Sequence, residues 1–327
     1  MRIVETLMIA EDLKAKLSHA YFRHILVEHL LNDAKLMRSQ DEKRLRVEVI
    51  NNASDILSNS SMYFVKSEMT DLITFAGEKL DEEDILDYKL APTRQGFVYF
   101  EKPIPCVDVR GDILSVNMAL WWFDKYNDLH VLKFNDQYRT PDKIAIGIIE
   151  KARKSRDKHE KAFVDEIGRF GFIGLSKHKN RTPIGKPLLE PNEEHIKLFE
   201  SVKGFTPLPS GNFVRTLHAY WLMMNQTLIK LSKEEADKKL ARTMKRFNMP
   251  TEVTIVQYRR VETDKEYSGE SSVQWSHRWI VRGHWRWQPY KTIDGKDDVK
   301  RIWIAPFMKG PEDKPLVLTD KIYALVQ

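Results

Sequence analysis

"GFVYFEKPIPCVDVRGDILSVNMALWWFDKYNDLHVLKF", residues Gly96 to Phe134, is the stretch on which the fold turns. It reads as three short strands, Gly96 to Phe100, Ile113 to Phe123 and Leu129 to Phe134, each rich in aromatic and β-branched residues. Pro103, Pro105, Arg110-Gly111-Asp112 and Tyr126-Asn127-Asp128 supply turn chemistry between them. The expectation is a short antiparallel meander. Trp121 and Trp122 are adjacent, and adjacent residues of a strand point to opposite faces, so both faces of this hairpin should be covered.

Towards the N-terminus the pattern is helical. From Ile9 to Met37, apolar positions such as Leu13, Leu17, Phe22, Leu26 and Leu30 recur near a period of 3.6 with no Pro or Gly between, which predicts one long amphipathic helix. His19, His24 and His29 stand on it at steps of five residues. Each step turns about 140°, so the three share no face and make no metal site. Further helices are expected over Lys43 to Leu57 and over Met62 to Gly77, the latter behind the N-cap chemistry of Ser58-Asn59-Ser60-Ser61. Asp81, Glu82, Glu83 and Asp84 are contiguous and read as the solvated start of a helix.

Beyond the meander, Thr140-Pro141-Asp142 opens a predicted charged helix that runs to a stop at Gly171 and Gly174, carrying the basic run "KARKSRDKHEK". "LSKHKNRTPIGKPLLEPNEEH" is then the most loop-like stretch of the chain. Two more helices are expected, Asn212 to Leu231 and Lys233 to Phe247, the second starting from Ser232 with Glu235 in capping-box register. Lys238, Lys239, Arg242, Lys245 and Arg246 form a cationic cluster in it, and Pro250 closes it.

The last quarter reads as four strands, Val253 to Val261, Trp275 to Gln288, Arg301 to Phe307 and Leu316 to Val326. The fold class expected is therefore α+β: a helical N-terminal region, a short antiparallel meander, a helical middle and a C-terminal four-stranded antiparallel sheet. Region boundaries fall at residues 1–80, 81–250 and 251–327.

"HRWIVRGHWRWQ", His277 to Gln288, carries the chemistry of that quarter. A period of two puts Trp275, His277, Trp279, Val281, Trp285 and Trp287 on a packed face, and Arg278, Ile280, Arg282, His284, Arg286 and Gln288 on the other. Gly283 is a candidate bulge that would swap the faces of all that follows. Guanidinium groups fork onto phosphate oxygens and indoles stack on unpaired bases, so Arg278, Arg282, Arg286 and Gln288 are candidate contacts to RNA or single strands, together with the five cations of the Lys238 to Arg246 cluster. His284 as proton-transfer group, with Arg282 and Arg286 stabilising a pentavalent phosphate, is the minimum for metal-independent RNA cleavage. A solvated sheet face whose Arg side chains pair with neighbouring acids accounts for the same residues without a ligand.

A formal charge of +6 and a pI near 9.1 over 327 residues suit a polyanion partner. Cys106 is the single cysteine, which excludes an internal disulfide and a zinc site of paired cysteines, and reads as a small core residue. There is no G-x-S-x-G, H-E-x-x-H or strand-associated G-x-G-x-x-G, so no cofactor or metal is expected. With no signal peptide or membrane span in the pattern, the expected location is the cytoplasm.

Helices followed by a meander bearing His, Arg and Tyr resemble, in architecture and residue type, compact toxin- and colicin-type ribonucleases. "HRWIVRGHWRWQPY" with "RIWIAPFMKGPEDKPL" is similar to the C-terminal segment of uncharacterised actinobacterial and actinophage proteins, and "GFVYFEKPI" with the hairpin ending in Trp fits the same pattern, about a third of the chain in all; the resemblance implies a phage or mobile-element origin and no particular activity. The leading expectation is a nucleic-acid-binding protein, with RNA cleavage as its enzymatic version. The alternative is a phage or regulatory interaction protein that binds a host protein or its own copy as a homodimer.

Overall fold

Both faces of the meander are buried, and that requirement organises the molecule. A computed structural model describes residues 3–20, 22, 23, 26, 27, 40–107, 113–136, 154, 170–185, 213–258, 279–281, 283–292, 294–305 and 307–309. In chain order the elements begin with helices α1 (Ile3–Ser18) and α2 (Gln40–Ser58), strand β1 (Ser61–Val65) and helix α3 (Ser67–Glu78). The meander follows as β2 (Gln95–Val107), β3 (Ile113–Phe123) and β4 (Leu129–Asp136), then β5 (Phe170–His178) and helix α4 (Phe213–Met224). Next come β6 (Ile229–Glu235), helix α5 (Lys238–Arg246) and β7 (Glu252–Tyr258). The last described strands are β8 (Trp279–Val281), β9 (His284–Lys291), β10 (Asp297–Ile304) and β11 (Phe307–Lys309).

Seven strands make one mixed sheet in the order β5-β4-β3-β2-β1-β7-β6. β1 is parallel to both its neighbours, with Tyr63 beside Val98 on one side and Thr254 on the other. One face packs Val98, Phe100, Ala119, Trp121 and Phe123 against α3 and α4; the opposite face packs Phe97, Tyr99, Met118, Leu120 and Trp122 against α1 and α2. Trp121 and Trp122 thus enter two different cores, as their adjacency in a strand requires. Gly96 is the partner of Trp121, whose ring covers it so closely that a Cβ would stand 2.3 Å from the indole. At Gly77 helices α3 and α4 approach closely: a Cβ there would lie 2.9 Å from Thr216 Cα. Arg215, buried on α4, donates to the carbonyls of Gly77 and Leu80, at and just past the end of α3, and to that of Gly185.

The α+β class stands, but its expected layout does not. Among the described residues no four-stranded C-terminal sheet forms: the segment from Val253 joins the central sheet as β7, β9 and β10 pair as a two-stranded ribbon, and β8 pairs with β11. The segment Leu316 to Val326 lies outside the described residues, as does nearly all of the expected helix from Thr140 with its basic run. Residues 61–65 are a strand rather than the first turn of a helix. A parallel strand buried on both faces is a continuous apolar run, and only Lys66, Ser67 and Glu68 part "SMYFV" from the apolar positions of α3. Residues 229–235 are likewise the edge strand β6, so Ser232 and Glu235 form no capping box; the helix starts at Lys238, and Asp237 caps it by accepting from Leu240 N at 2.8 Å. Gly171 and Gly174 lie within β5, where the pairing with β4 shifts register. The first helix ends at Ser18 instead of continuing unbroken to Met37.

Asp81 to Asp84 do not start a helix. They form the turn after α3, in which buried Asp84 accepts from Asp81 N at 2.7 Å. Arg301 from β10 reaches Asp84 in a buried ion pair and Asp81 at 2.6 Å. This acidic turn is what docks the C-terminal ribbon.

Candidate nucleic-acid interface

Helix α5, "KKLARTMKR", holds five cations and no acid in nine residues. At 100° per residue Lys238, Lys239, Arg242, Lys245 and Arg246 fall within an arc of about 120°, and Leu240 and Met244 project from the opposite side. Met244 is buried in the core beneath α1 and α2, with Leu240 packed against it, so the cationic arc is turned to solvent and all five residues are exposed. The helix ends in a Schellman motif. Met249 N donates to Met244 O at 2.8 Å and Asn248 N to Lys245 O at 3.1 Å, with Asn248 left-handed at φ 51°. Met249 and Met244 supply the accompanying apolar contact, and Lys14 of α1 donates to the carbonyl of the C-cap, Phe247.

Nothing in folding asks for these charges. Lys238–Arg242 and Arg242–Arg246 are like-charge pairs at i,i+4, Lys239–Arg242 and Arg242–Lys245 at i,i+3, and each costs a few tenths of a kcal/mol. Lys238 and Lys239 also sit at the positive end of the helix dipole, where cations are disfavoured. None of the five forms an ion pair among the described residues.

Beside the C-terminal end of α5 the sheet opens into a cleft of about 630 Å³. On its floor Lys233, Thr254 and Tyr63 lie side by side on β6, β7 and β1. The segment Asn248 to Thr251, which leads from α5 into β7, lines it, as do Ser58 to Ser61 and Thr93. Tyr63 donates to Thr93 Oγ1 at 3.3 Å, and burial raises its pKa above the ordinary phenol range. Lys233 is held by Glu252 at 2.7 Å, which leaves the cleft polar and close to neutral. No hydrogen bond is made by the side chains of Asn248, Thr251 or Thr254 among the described residues.

The ribbon of β9 and β10 is a separate feature. Phe307 stands opposite Val281 and Ile304 opposite His284, with two residues between on each strand, so Gly283 inserts no bulge and the expected phase holds. Trp285 and Trp303 pack edge to face at 5.2 Å on the α3–α4 core, and Trp285 Nε1 donates to Ala76 O at 2.8 Å. Trp287 shares their side of the ribbon but overhangs the core, 59% exposed, with the Arg301 guanidinium 5.2 Å from its ring. Of the predicted row, Arg278 and Arg282 lie outside the described residues. His284 and Arg286 are exposed, Gln288 is half-buried, and Arg286 donates to Gln288 Oε1 at 2.5 Å.

The described members of the two predicted cationic groups are not brought together. α5 packs on the sheet face covered by α1 and α2, the ribbon on the face covered by α3 and α4. Composition gave no sign of Arg301 as an ion-pair residue, since it sits apart from the Arg-rich motif; only its parity with Trp303 pointed inward. Cys106 is a buried core residue whose thiol burial pushes up to about 12, so it is no nucleophile. Among the described residues no group of three His, Cys, Asp or Glu could hold a metal, and no helix is long and apolar enough to cross a membrane.

No protein-family model matches the chain, and no curated protein matches it in sequence. Among solved structures it is similar to the crystal structure of AcrVA2, at 13% identity and a TM-score of 0.36 over 91% of this chain and 93% of that one. A likeness that slight carries no inference about fold or activity.

Proposed function

We propose that the protein binds nucleic acid through the exposed arc of α5. One observation carries this reading: five exposed cations in a 120° arc, without a carboxylate partner among the described residues, held in a helix that they destabilise. Regularly spaced phosphates complement such an array, since each cation set against the backbone releases condensed counterions. The excess of +6 over the whole chain favours the same encounter. Metal-independent RNA cleavage at His284 finds less support, because Arg286 is turned to Gln288 and His284 and Arg286 lie on the exposed side of the ribbon. In the second reading, an interaction protein of phage or regulatory kind, the arc would meet acidic side chains of a host protein.

Fluorescence anisotropy with labelled oligonucleotides and labelled poly-glutamate tests this. The triple change Lys239→Gln, Arg242→Gln, Lys245→Gln should weaken oligonucleotide binding about tenfold or more, and Arg286→Gln should leave it nearly unchanged. Binding lost with Arg286→Gln and kept by the triple variant would move the site to the ribbon. Tight binding to poly-glutamate alone would favour the protein partner.

A further inference from the structure

We infer that the cleft beside α5 is the seat of an unpaired nucleotide, which makes the protein a reader of single strands rather than duplex. The inference rests on the nucleic-acid reading of α5 and concerns what happens where the cationic arc ends. There the helix delivers Phe247, an aromatic ring left 44% exposed, between the last cations, Lys245 and Arg246, and the first residue of the cleft wall, Asn248. Phosphate contacts, a stacking surface and a polar recess thus follow one another within four residues. That is the order in which a single strand presents its backbone, a base face and a base edge.

The Schellman turn fixes this order. Asn248 takes the left-handed conformation that ends the helix, and buried Met244 and Met249 clamp the turn from below, so Phe247 is held at the surface by backbone geometry and by Lys14 at its carbonyl. The recess is large enough for one nucleoside and lies within the usual size of small-molecule sites. Its chemistry is that of a base or ribose rather than a second phosphate. The one lysine on its floor is neutralised by Glu252, and what remains are an amide and hydroxyls able both to donate and to accept: Asn248, Thr251, Thr254 and, deeper, the Tyr63–Thr93 pair. A duplex has no unstacked base to offer Phe247 and cannot enter the recess.

The test compares a labelled oligo-uridine strand with a duplex of equal length, for the wild type, Phe247→Ala and Thr254→Val. Both substitutions should weaken single-strand binding, Phe247→Ala by about five- to a hundredfold as expected for loss of one stacked base, and leave duplex binding unchanged. To separate contact from misfolding, a 5-iodouracil strand is photo-crosslinked to the wild type and the adduct mapped by mass spectrometry; it should fall on the peptide spanning residues 247–254. Equal losses on strand and duplex, no loss on either, or a crosslink elsewhere would overturn the cleft assignment while leaving α5 as the polyanion site. A wild type that binds neither strand nor duplex would overturn the reading of α5 itself.

Discussion

With its guanidinium against Asp84 and Asp81 and beside the rings of Trp285 and Trp287, Arg301 is a buried cation whose loss would leave Asp84 unpaired in the interior. Breaking one side of such a pair costs about 3 to 5 kcal/mol. Arg301→Met should therefore lower stability and raise hydrogen exchange in residues 284–304, with the amides of β2 to β4 still protected; uniform exchange across the chain would contradict a local dock. Gly96 makes a second demand at this scale. Trp121 lies over it, fixed between Tyr63 at 5.4 Å and Trp221 at 5.9 Å, so the ring cannot retreat from a new methyl group. Gly96→Ala should cost about 1 to 3 kcal/mol in chemical denaturation, and a neutral effect would mean that the ring does move. Neither residue's role was legible in the sequence. Arg301 and its two acids are more than 200 positions apart, and a glycine in a strand shows only that something comes close.

Among the elements, α5 carries function and β1 carries the fold, and they were legible to opposite degrees. The cations of α5 could be named from the chain, and their common face follows from the helical period alone. Its start could not, because Lys233, Glu234 and Glu235 extend the charged pattern backwards into β6, an edge strand whose charges guard it against pairing with another chain. β1 was hidden for the reverse reason. Buried on both sides between β2 and β7, it shows no alternation, and only Lys66, Ser67 and Glu68 separate its apolar run from α3. A structural role for the arc and a binding role predict different signs. The variant Lys238→Gln, Arg242→Gln should melt at the same temperature or slightly higher, since it relieves like-charge repulsion worth a few tenths of a kcal/mol per pair, and yet bind oligonucleotides more weakly. A clear fall in melting temperature would show that the cations serve the fold.

At the scale of the whole molecule, two cores flank one sheet, and β1 is what unites the meander with β7 and β6. Adjacent Trp121 and Trp122 announced the two covered faces; the crossing that joins residues 61–65 to 252–258 is non-local and left no local mark. Burial on this scale also sets the response to acid. His218 is buried, and burial, with Arg215 nearby, lowers its pKa to about 4; burial and Lys133 lower His178 to about 4 as well, and burial lowers His130 despite Asp124 beside it. All three stay neutral in the fold, whereas an unfolded histidine takes up its proton near pH 6.5. For His178 and His218 the contribution is fully present above about pH 6.5 and is lost as the pH falls towards 4, and His130 acts in the same direction. The melting temperature should drop between pH 7 and pH 5, and His218→Gln should flatten that drop; a variant with an unchanged pH slope would show that His218 is not among the groups responsible.

If α5 is a phosphate-binding face, the salt dependence of binding to a short single strand will show it. Five cations engaged together predict a slope of log K against log salt of up to about −3.5, and Arg242→Gln should make it shallower by about 0.7. A wild-type slope near zero, or one that Arg242→Gln leaves unchanged, would contradict it.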